Sequence, residues 1–371
     1  MTDMKPIITL LLIAIGSINA WASGRSDQNT APWQTCTQIT DTTARLVCFD
    51  QWAANQTLAA PESLNPPAPE PAAGFTMVAP QVHNCKQTEF SELSRFWELE
   101  AGSDCGTFGI RGYKPISLAV IGSDSVNLQP TTPAPQHTVN QPTPFKTTEN
   151  RFGLSVRTKV AQGLLTQHVA LKRDSVWFAY SQQSNWQLFS AHLSRPFRTT
   201  DHEPELIYIY PTDAKLSAGW RLRYTGISLN HQSNGQSLPL SRSWNRVIAM
   251  AGMEKDNDFT LTGKLWHRLP EAEADDDNPD IADLLGRIEL AGQWNVNLAN
   301  TLGITLRHSQ RAQANGSVKL EWLRKLGDSG VPNAQTGLRF HTQLFSGYGD
   351  SLIDYNRRRT VLSVGLSLVD W

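Results

Sequence analysis

The sequence predicts an all-β protein, a twelve-stranded antiparallel transmembrane β-barrel with a small disulfide-bearing extension at its N-terminus. Three observations point there. From about Lys114 onward apolar and polar residues alternate at period two. Most of these runs approach the roughly 9 to 11 residues that a tilted membrane strand requires. The chain also opens on an export signal and stops at Trp371 directly after an alternating strand, an ending common among exported barrels.

The export signal is Lys5 ahead of an apolar run from Pro6 to Ile18, followed by Ala20-Trp21-Ala22 as an A-x-A cleavage site. That run is shorter than a bilayer-spanning helix, so residues 1–22 read as a signal peptide rather than an anchor. Four cysteines in an exported chain are read most simply as disulfides. Their order suggests Cys36 with Cys48 and Cys85 with Cys105, although three connectivities are open. None forms a C-x-x-C pair, which argues against a zinc site. Residues 23–60 are expected to be a small helical segment, with an amphipathic helix over Thr43 to Trp52 stapled at its start by the first bridge. Residues 61–74 form a semi-rigid linker, since repeated proline withholds the N–H groups a helix or ladder needs. Residues 75–113 carry the second cysteine pair, and the barrel occupies 114–371. A second proline-rich tract, Pro130 to Pro144, reads as a disordered loop.

The clearest alternating strand runs from Arg287 to Val296. It sets Ile288, Leu290, Gly292, Trp294 and Val296 on one face against Arg287, Glu289, Gln293 and Asn295 on the other. Leu302, Ile304 and Leu306, then Val318, Leu320 and Trp322, then Leu362, Val364, Leu366 and Leu368 repeat the pattern, and about twelve such strands can be counted. A net charge of −1 with 18% charged residues excludes a basic nucleic-acid binder, and the absence of a long apolar stretch excludes a helical membrane protein. A mean hydropathy of −0.35 does not exclude a barrel, in which lumen-facing and lipid-facing residues average out. A soluble sandwich also alternates, but the strand lengths and the export signal favour the membrane, where only a closed sheet satisfies every backbone group.

On the strand Gly219 to His231, Thr225, Ile227, Leu229 and His231 share one face, and continuing the pleat brings Ser233 to the same side. That face is the lipid-facing one, where a polar pair is costly unless it has a purpose. The turn Asn234-Gly235 suits positive φ, and a strand resumes at about Ser243 with Asn245 alternating with Val247 and Ala249. Asn245 therefore faces lipid beside His231, where its carbonyl can accept from the imidazole and hold the tautomer that deprotonates Ser233. Taken alone, His-x-Ser with a downstream Asn also fits a polar strand end. Gly327-Asp328-Ser329-Gly330 resembles a protease nucleophile loop but continues into Val331-Pro332 and is read as a turn. The G-x-S-x-G elbow of α/β-hydrolases is missing.

The stretches Asn230 to Gly235 and Ser241 to Arg246 closely resemble the signature of the bacterial outer-membrane phospholipase A family. So do Pro196-Phe197-Arg198, Glu203-Pro204, Asp276 to Ile281 and Ser346 to Asn356, in one order over roughly the C-terminal two thirds. The resemblance implies a twelve-stranded barrel of the Gram-negative outer membrane that hydrolyses phospholipid acyl esters, as an A1 or A2 enzyme, while headgroup choice and attack on lysophospholipids are left open by the sequence. It casts Ser233 as nucleophile, His231 as general base and Asn245 as orienter, the last a neutral residue offering less electrostatic help than Asp. It implies a catalytic Ca2+ held by the Gln236 carbonyl, the Ser241 hydroxyl and the partner subunit's Ser194 within a calcium-promoted homodimer, with the Gly235 N–H as oxyanion donor. Asp277 matches a second, weaker calcium position whose partner carboxylate is replaced by Leu238, and Arg195 departs from the pattern beside Ser194. Tyr180 and Gln182 match family residues near the site and interface. The competing readings are a non-catalytic outer-membrane barrel, such as a porin or adhesin, and a soluble exported binding protein.

Overall fold

The computed structural model describes residues 32–56, 89–169, 171–256, 258–327 and 337–369. The signal peptide, the 61–74 linker, Cys85, Asp328 to Gly330 and Trp371 lie outside them. Two compact units divide at Met77. In the first, α1 (Pro32–Cys36) and α2 (Thr42–Gln56) are joined by the predicted Cys36–Cys48 disulfide, which enters α2 near its middle rather than at its start. Asp41 caps α2 by accepting from the Ala44 N–H at 2.8 Å. In the second unit no described cysteine is free, Cys105 being disulfide-bonded.

The second unit contains α3 (Glu92–Trp97), β1 (Ile110–Gly112), β2 (Ile116–Ser123), β3 (Thr148–Gln162), β4 (Ser175–Trp186), β5 (Thr199–Lys215), β6 (Arg221–Ser233), β7 (Ser243–Lys255), β8 (Phe259–Arg268), α4 (Ile281–Leu285), β9 (Ile288–Asn297), β10 (Asn300–His308), β11 (Gly316–Lys325), β12 (Gly337–Gly347) and β13 (Arg359–Val369). From β2 to β13 each strand pairs antiparallel with its neighbours, and β13 pairs with β2, so twelve strands close into a barrel. The short β1 continues the line of β2 alongside β3. Closure leaves no backbone edge facing hydrocarbon.

Side-chain alternation holds around the wall. Leu290 and Trp294 on β9, Leu302, Ile304 and Leu306 on β10, and Leu362, Leu366 and Leu368 on β13 are exposed. The opposite face points into the lumen and is closed by charge pairing, with Arg307 and Lys264 on Glu289 at 2.8 and 3.6 Å, and Lys114 and Arg246 on Glu203 at 2.7 and 3.1 Å. We predict that Ile304→Arg, which sets a charge in the middle of the lipid-facing side of β10, destabilises the barrel by about 2–4 kcal/mol, read as a lowered urea midpoint in vesicles. Thr305→Ser, on the inward side of the same strand, should leave it nearly unchanged.

Part of the lumen is filled by α3. Ser91 caps it by accepting from the Ser94 N–H, and its Trp97 packs edge-on against Trp177 of β4 and Tyr224 of β6 at 5.8 and 5.7 Å. Glu92 is anchored by Gln293 and Asn295 of β9 at 2.6 and 2.8 Å, and Glu98 pairs with Lys159 at 2.7 Å and with Arg111.

The proline-rich tract from Pro130 to Pro144 differs from the disordered loop expected of it. Proline removes donors but leaves carbonyls. The Pro130 carbonyl accepts from the Val139 N–H at 3.0 Å, and the Thr132 hydroxyl reaches the Asp277 carbonyl at 2.8 Å, so the loop folds against its neighbour with Thr132, Ala134 and His137 buried.

Candidate active site

The site lies where β6 ends and β7 begins. On β6, Ile227 and Leu229 are 50% and 55% exposed while Ser228 and Asn230 are 2% and 3% exposed, so the residues in register with Ile227 face outward. His231 and Ser233 continue that outward row at the strand's end, both half-buried. Across the ladder His231 is paired with Asn245, and Ser233 with Ser243. The His231 Nδ1 lies 2.8 Å from the Asn245 Oδ1. An amide oxygen only accepts, so Nδ1 carries the proton and Nε2 is left unprotonated.

The connection from β6 to β7 is built around Asn234. Its backbone N–H donates to the Arg242 carbonyl at 3.0 Å, its Oδ1 accepts from the Arg242 and Gln236 N–H groups at 3.0 and 3.3 Å, and its Nδ2 donates to the Leu240 carbonyl at 2.7 Å. This clamp draws the loop closed, and Gly235 supplies its tight corner at φ +61°. Arg242 is fully buried against that loop, and burial lowers its pKa against the opposing pull of Tyr355, Asp277 and Asp280.

Asp275 to Asp280 is not a freely solvated run. The Asp277 Oδ2 accepts from the hydroxyls of Ser241 and Ser243 at 2.7 and 3.1 Å, and its Oδ1 lies 2.9 Å from the His137 Nε2. Asp276 pairs with Arg268 at 2.6 Å, and Asp280 accepts from Tyr355 at 2.5 Å. Two positions named from the sequence are thus brought together, Ser241 and Asp277, and Gln236 follows Gly235 in the same loop. Ser194 sits in the β4–β5 loop, where its carbonyl accepts from the Trp186 Nε1 at 2.6 Å. Tyr180 and Gln182 lie on the outward row of β4, and the Tyr180 hydroxyl is 2.6 Å from the His202 Nδ1 and 2.9 Å from the Gln182 Oε1.

Three polar residues around the site carry no signal in the sequence pattern. His202 is the β5 partner of Ser233 in the ladder, His137 reaches Asp277 from the β2–β3 loop, and Glu271 accepts from the Asn245 amide. Only the pairing of β5 with β6 could have pointed to His202, through strand parity. The other two come from loops whose folded paths have no period to read.

Fold and site together define the class, an outer-membrane β-barrel enzyme whose Ser, His and Asn share its outer wall. The profile of the phospholipase A1 family matches residues 93–368. A candidate phospholipase A1 from Neisseria meningitidis serogroup B is 30% identical over 362 residues, covering 90% of each chain. Phospholipase A1 of Escherichia coli K12 is 35% identical over 230 residues, covering 60% of this chain and 70% of its own. The crystal structure of the Salmonella typhi outer membrane phospholipase dimer with bound calcium superposes with a TM-score of 0.61 at 29% identity, over 72% of this chain and 94% of that one. This chain belongs to the phospholipase A1 family, and it is a phospholipase of the Gram-negative outer membrane.

Proposed function

We propose that this chain is a calcium-dependent phospholipase A that hydrolyses acyl esters of phospholipids, and of lysophospholipids, from the lipid-facing wall of its barrel. The contact that carries the reading is His231 Nδ1 to Asn245 Oδ1 at 2.8 Å, with Ser233 two residues further along the same outward row. In this reading Ser233 Oγ attacks the ester carbonyl carbon and its proton passes to His231 Nε2. The tetrahedral adduct expels the lyso-lipid alkoxide, which takes that proton back. Water, deprotonated by the same nitrogen, then attacks the acyl-enzyme carbonyl, and the fatty acid is released as the Ser233 Oγ–acyl bond breaks and Oγ takes that proton. The Gly235 N–H is the oxyanion donor, and Asn245 keeps the imidazole in the tautomer both steps need.

The donor set around the β6–β7 loop suits a hard cation: the Ser241 hydroxyl, the Gln236 carbonyl and, 2.7 Å from that hydroxyl, the Asp277 carboxylate. Ser241 and Gln236 would hold Ca2+ with the partner subunit's Ser194 in a calcium-promoted homodimer, as the calcium-bound dimer of the Salmonella relative suggests. Bound there, the ion supplies positive charge to the developing oxyanion. Asp277 supports the site by holding the Ser241 side chain.

The test is fatty-acid release from phospholipid micelles by detergent-solubilised protein, with calcium and with chelator. Release that needs calcium and stops with chelator is expected, and no release in calcium would sink the proposal. Asp277→Asn should raise the calcium concentration for half-maximal rate by about tenfold or more, the scale at which partners of metal ligands act.

A further inference from the structure

We propose that Glu271 is a positioning residue that completes a Ser233-His231-Asn245-Glu271 relay, fixing the Asn245 amide and supplying the negative charge that an Asp would carry in its place. The inference rests on the triad reading above.

An asparagine can present either its oxygen or its nitrogen to a neighbour, and only the oxygen serves His231. The contact on its far side decides which. Asn245 Nδ2 donates to Glu271 Oε1 at 2.7 Å, and an ionised carboxylate only accepts, so the nitrogen is held toward Glu271 and Oδ1 is left facing the His231 Nδ1–H. Without that acceptor a flipped amide would set N–H against N–H and favour the wrong imidazole tautomer. The bond is charge-assisted, so it polarises the amide and leaves Oδ1 a better acceptor for an imidazolium.

Glu271 is placed by backbone as well as side chain. The Leu269 N–H donates to the carbonyl of Asn245 itself at 2.8 Å, and Pro270 restricts the next turn of chain. The other carboxylate oxygen of Glu271 is 3.3 Å from the Arg268 Nη2, which also holds Asp276 at 2.6 Å. Arg268 is itself set by the Pro279 carbonyl at 3.1 Å. Glu271 is 16% exposed at its side chain, so it is largely withdrawn from solvent.

The arrangement also accounts for Asn rather than Asp at position 245. An Asp there would put two carboxylates in contact, and one would have to take up a proton or turn away from His231. Charge and orientation are divided between two residues.

The test uses the full-length protein in detergent with calcium, each variant first checked for the heat-dependent gel shift of a folded barrel. Glu271→Ala should lower kcat by about 10–100-fold with KM unchanged. Glu271→Gln, whose Oε1 can still accept but which carries no charge, should restore the amide orientation alone and fall between Glu271→Ala and wild type. In an Asn245→Ala background Glu271→Ala should cost nothing more, because its effect runs through Asn245. Asn245→Asp should fall well below wild type and recover at least tenfold in Asn245→Asp/Glu271→Gln, where the two carboxylates no longer meet. Wild-type turnover by Glu271→Ala, an additive loss in the Asn245→Ala background, or no recovery in the double variant overturns the assignment. If Ser233→Ala is inactive while Glu271→Ala is fully active, the relay alone fails. An active Ser233→Ala takes the triad and the relay down together.

Discussion

Ser233→Ala is expected to abolish calcium-dependent fatty-acid release, with a loss in kcat on the order of 10⁶, as when the nucleophile of a serine triad is removed. The variant keeps the His231 to Asn245 contact, because neither side chain nor their cross-strand pairing depends on the Ser233 hydroxyl. It should therefore fold and migrate on gels as the wild type does. What it lacks is an atom to form the acyl-enzyme. His231→Ala should lose nearly as much, and the Ser233→Ala/His231→Ala pair little beyond either single change, since nucleophile and base act as one unit. A non-catalytic barrel predicts no release by the wild type at all, and an inert Ser233 predicts equal release by the variant. Single-turnover release from micelles separates these outcomes.

The outward placement of Ser233 and His231 is legible in the amino-acid sequence because strand side chains have a period of two, which also sorts Ile227 from Ser228. The cross-strand meeting of His231 with Asn245 is legible only through parity, which turns both outward; their register across the nine residues from Asn234 to Arg242 is held by the Asn234 clamp, which no sequence pattern records. Parity and turns are local properties. Glu271 comes from beyond the far end of β8, and His137 from a proline-rich loop, so each reaches the site through packing that no local pattern records. The same limit explains why Pro130 to Pro144 reads as disordered. Composition counts the donors that prolines lack, while the partners that hold the tract, among them the Asp277 carbonyl, lie in a loop distant in sequence. By residue type alone Asn245 is a neutral orienter with little electrostatic help to offer. With a carboxylate 2.7 Å behind its amide it is one half of a charged pair of residues.

Asp354→Ala should destabilise the barrel by about 3–5 kcal/mol, the cost of removing one partner from a buried ion network. Asp354 is fully buried in the turn between β12 and β13. Its Oδ2 takes Arg198 at 2.9 Å, Arg359 at 2.6 Å and the Ser351 hydroxyl at 2.9 Å. Arg198 also binds Glu149 of β3 at 2.6 Å, and Arg359 lies 3.5 Å from Asp350, which holds Arg151 at 2.7 Å. The network ties strand ends from opposite sides of the chain's closure, and the substitution would leave two buried guanidinium groups short of a carboxylate. Burial raises the Asp354 pKa, but Arg198 and Arg359 outweigh it and hold the carboxyl below its ordinary value of 3.8. A depressed folded pKa stabilises fully above the unfolded value and is lost as pH falls through the folded one. The gap between wild type and Asp354→Ala in urea midpoint should therefore be constant from neutral pH down to about 5 and narrow only below about 4. Asp354→Asn separates charge from shape, since it retains an acceptor for Ser351 but not the charge, and should fall between the two. The same network borders the site, because the Gln236 Nε2 donates to the Arg198 carbonyl at 3.4 Å. If Gln236 holds calcium as proposed, Asp354→Ala should thus loosen the β6–β7 loop and raise the calcium concentration for half-maximal rate in the surviving folded enzyme before the barrel itself opens.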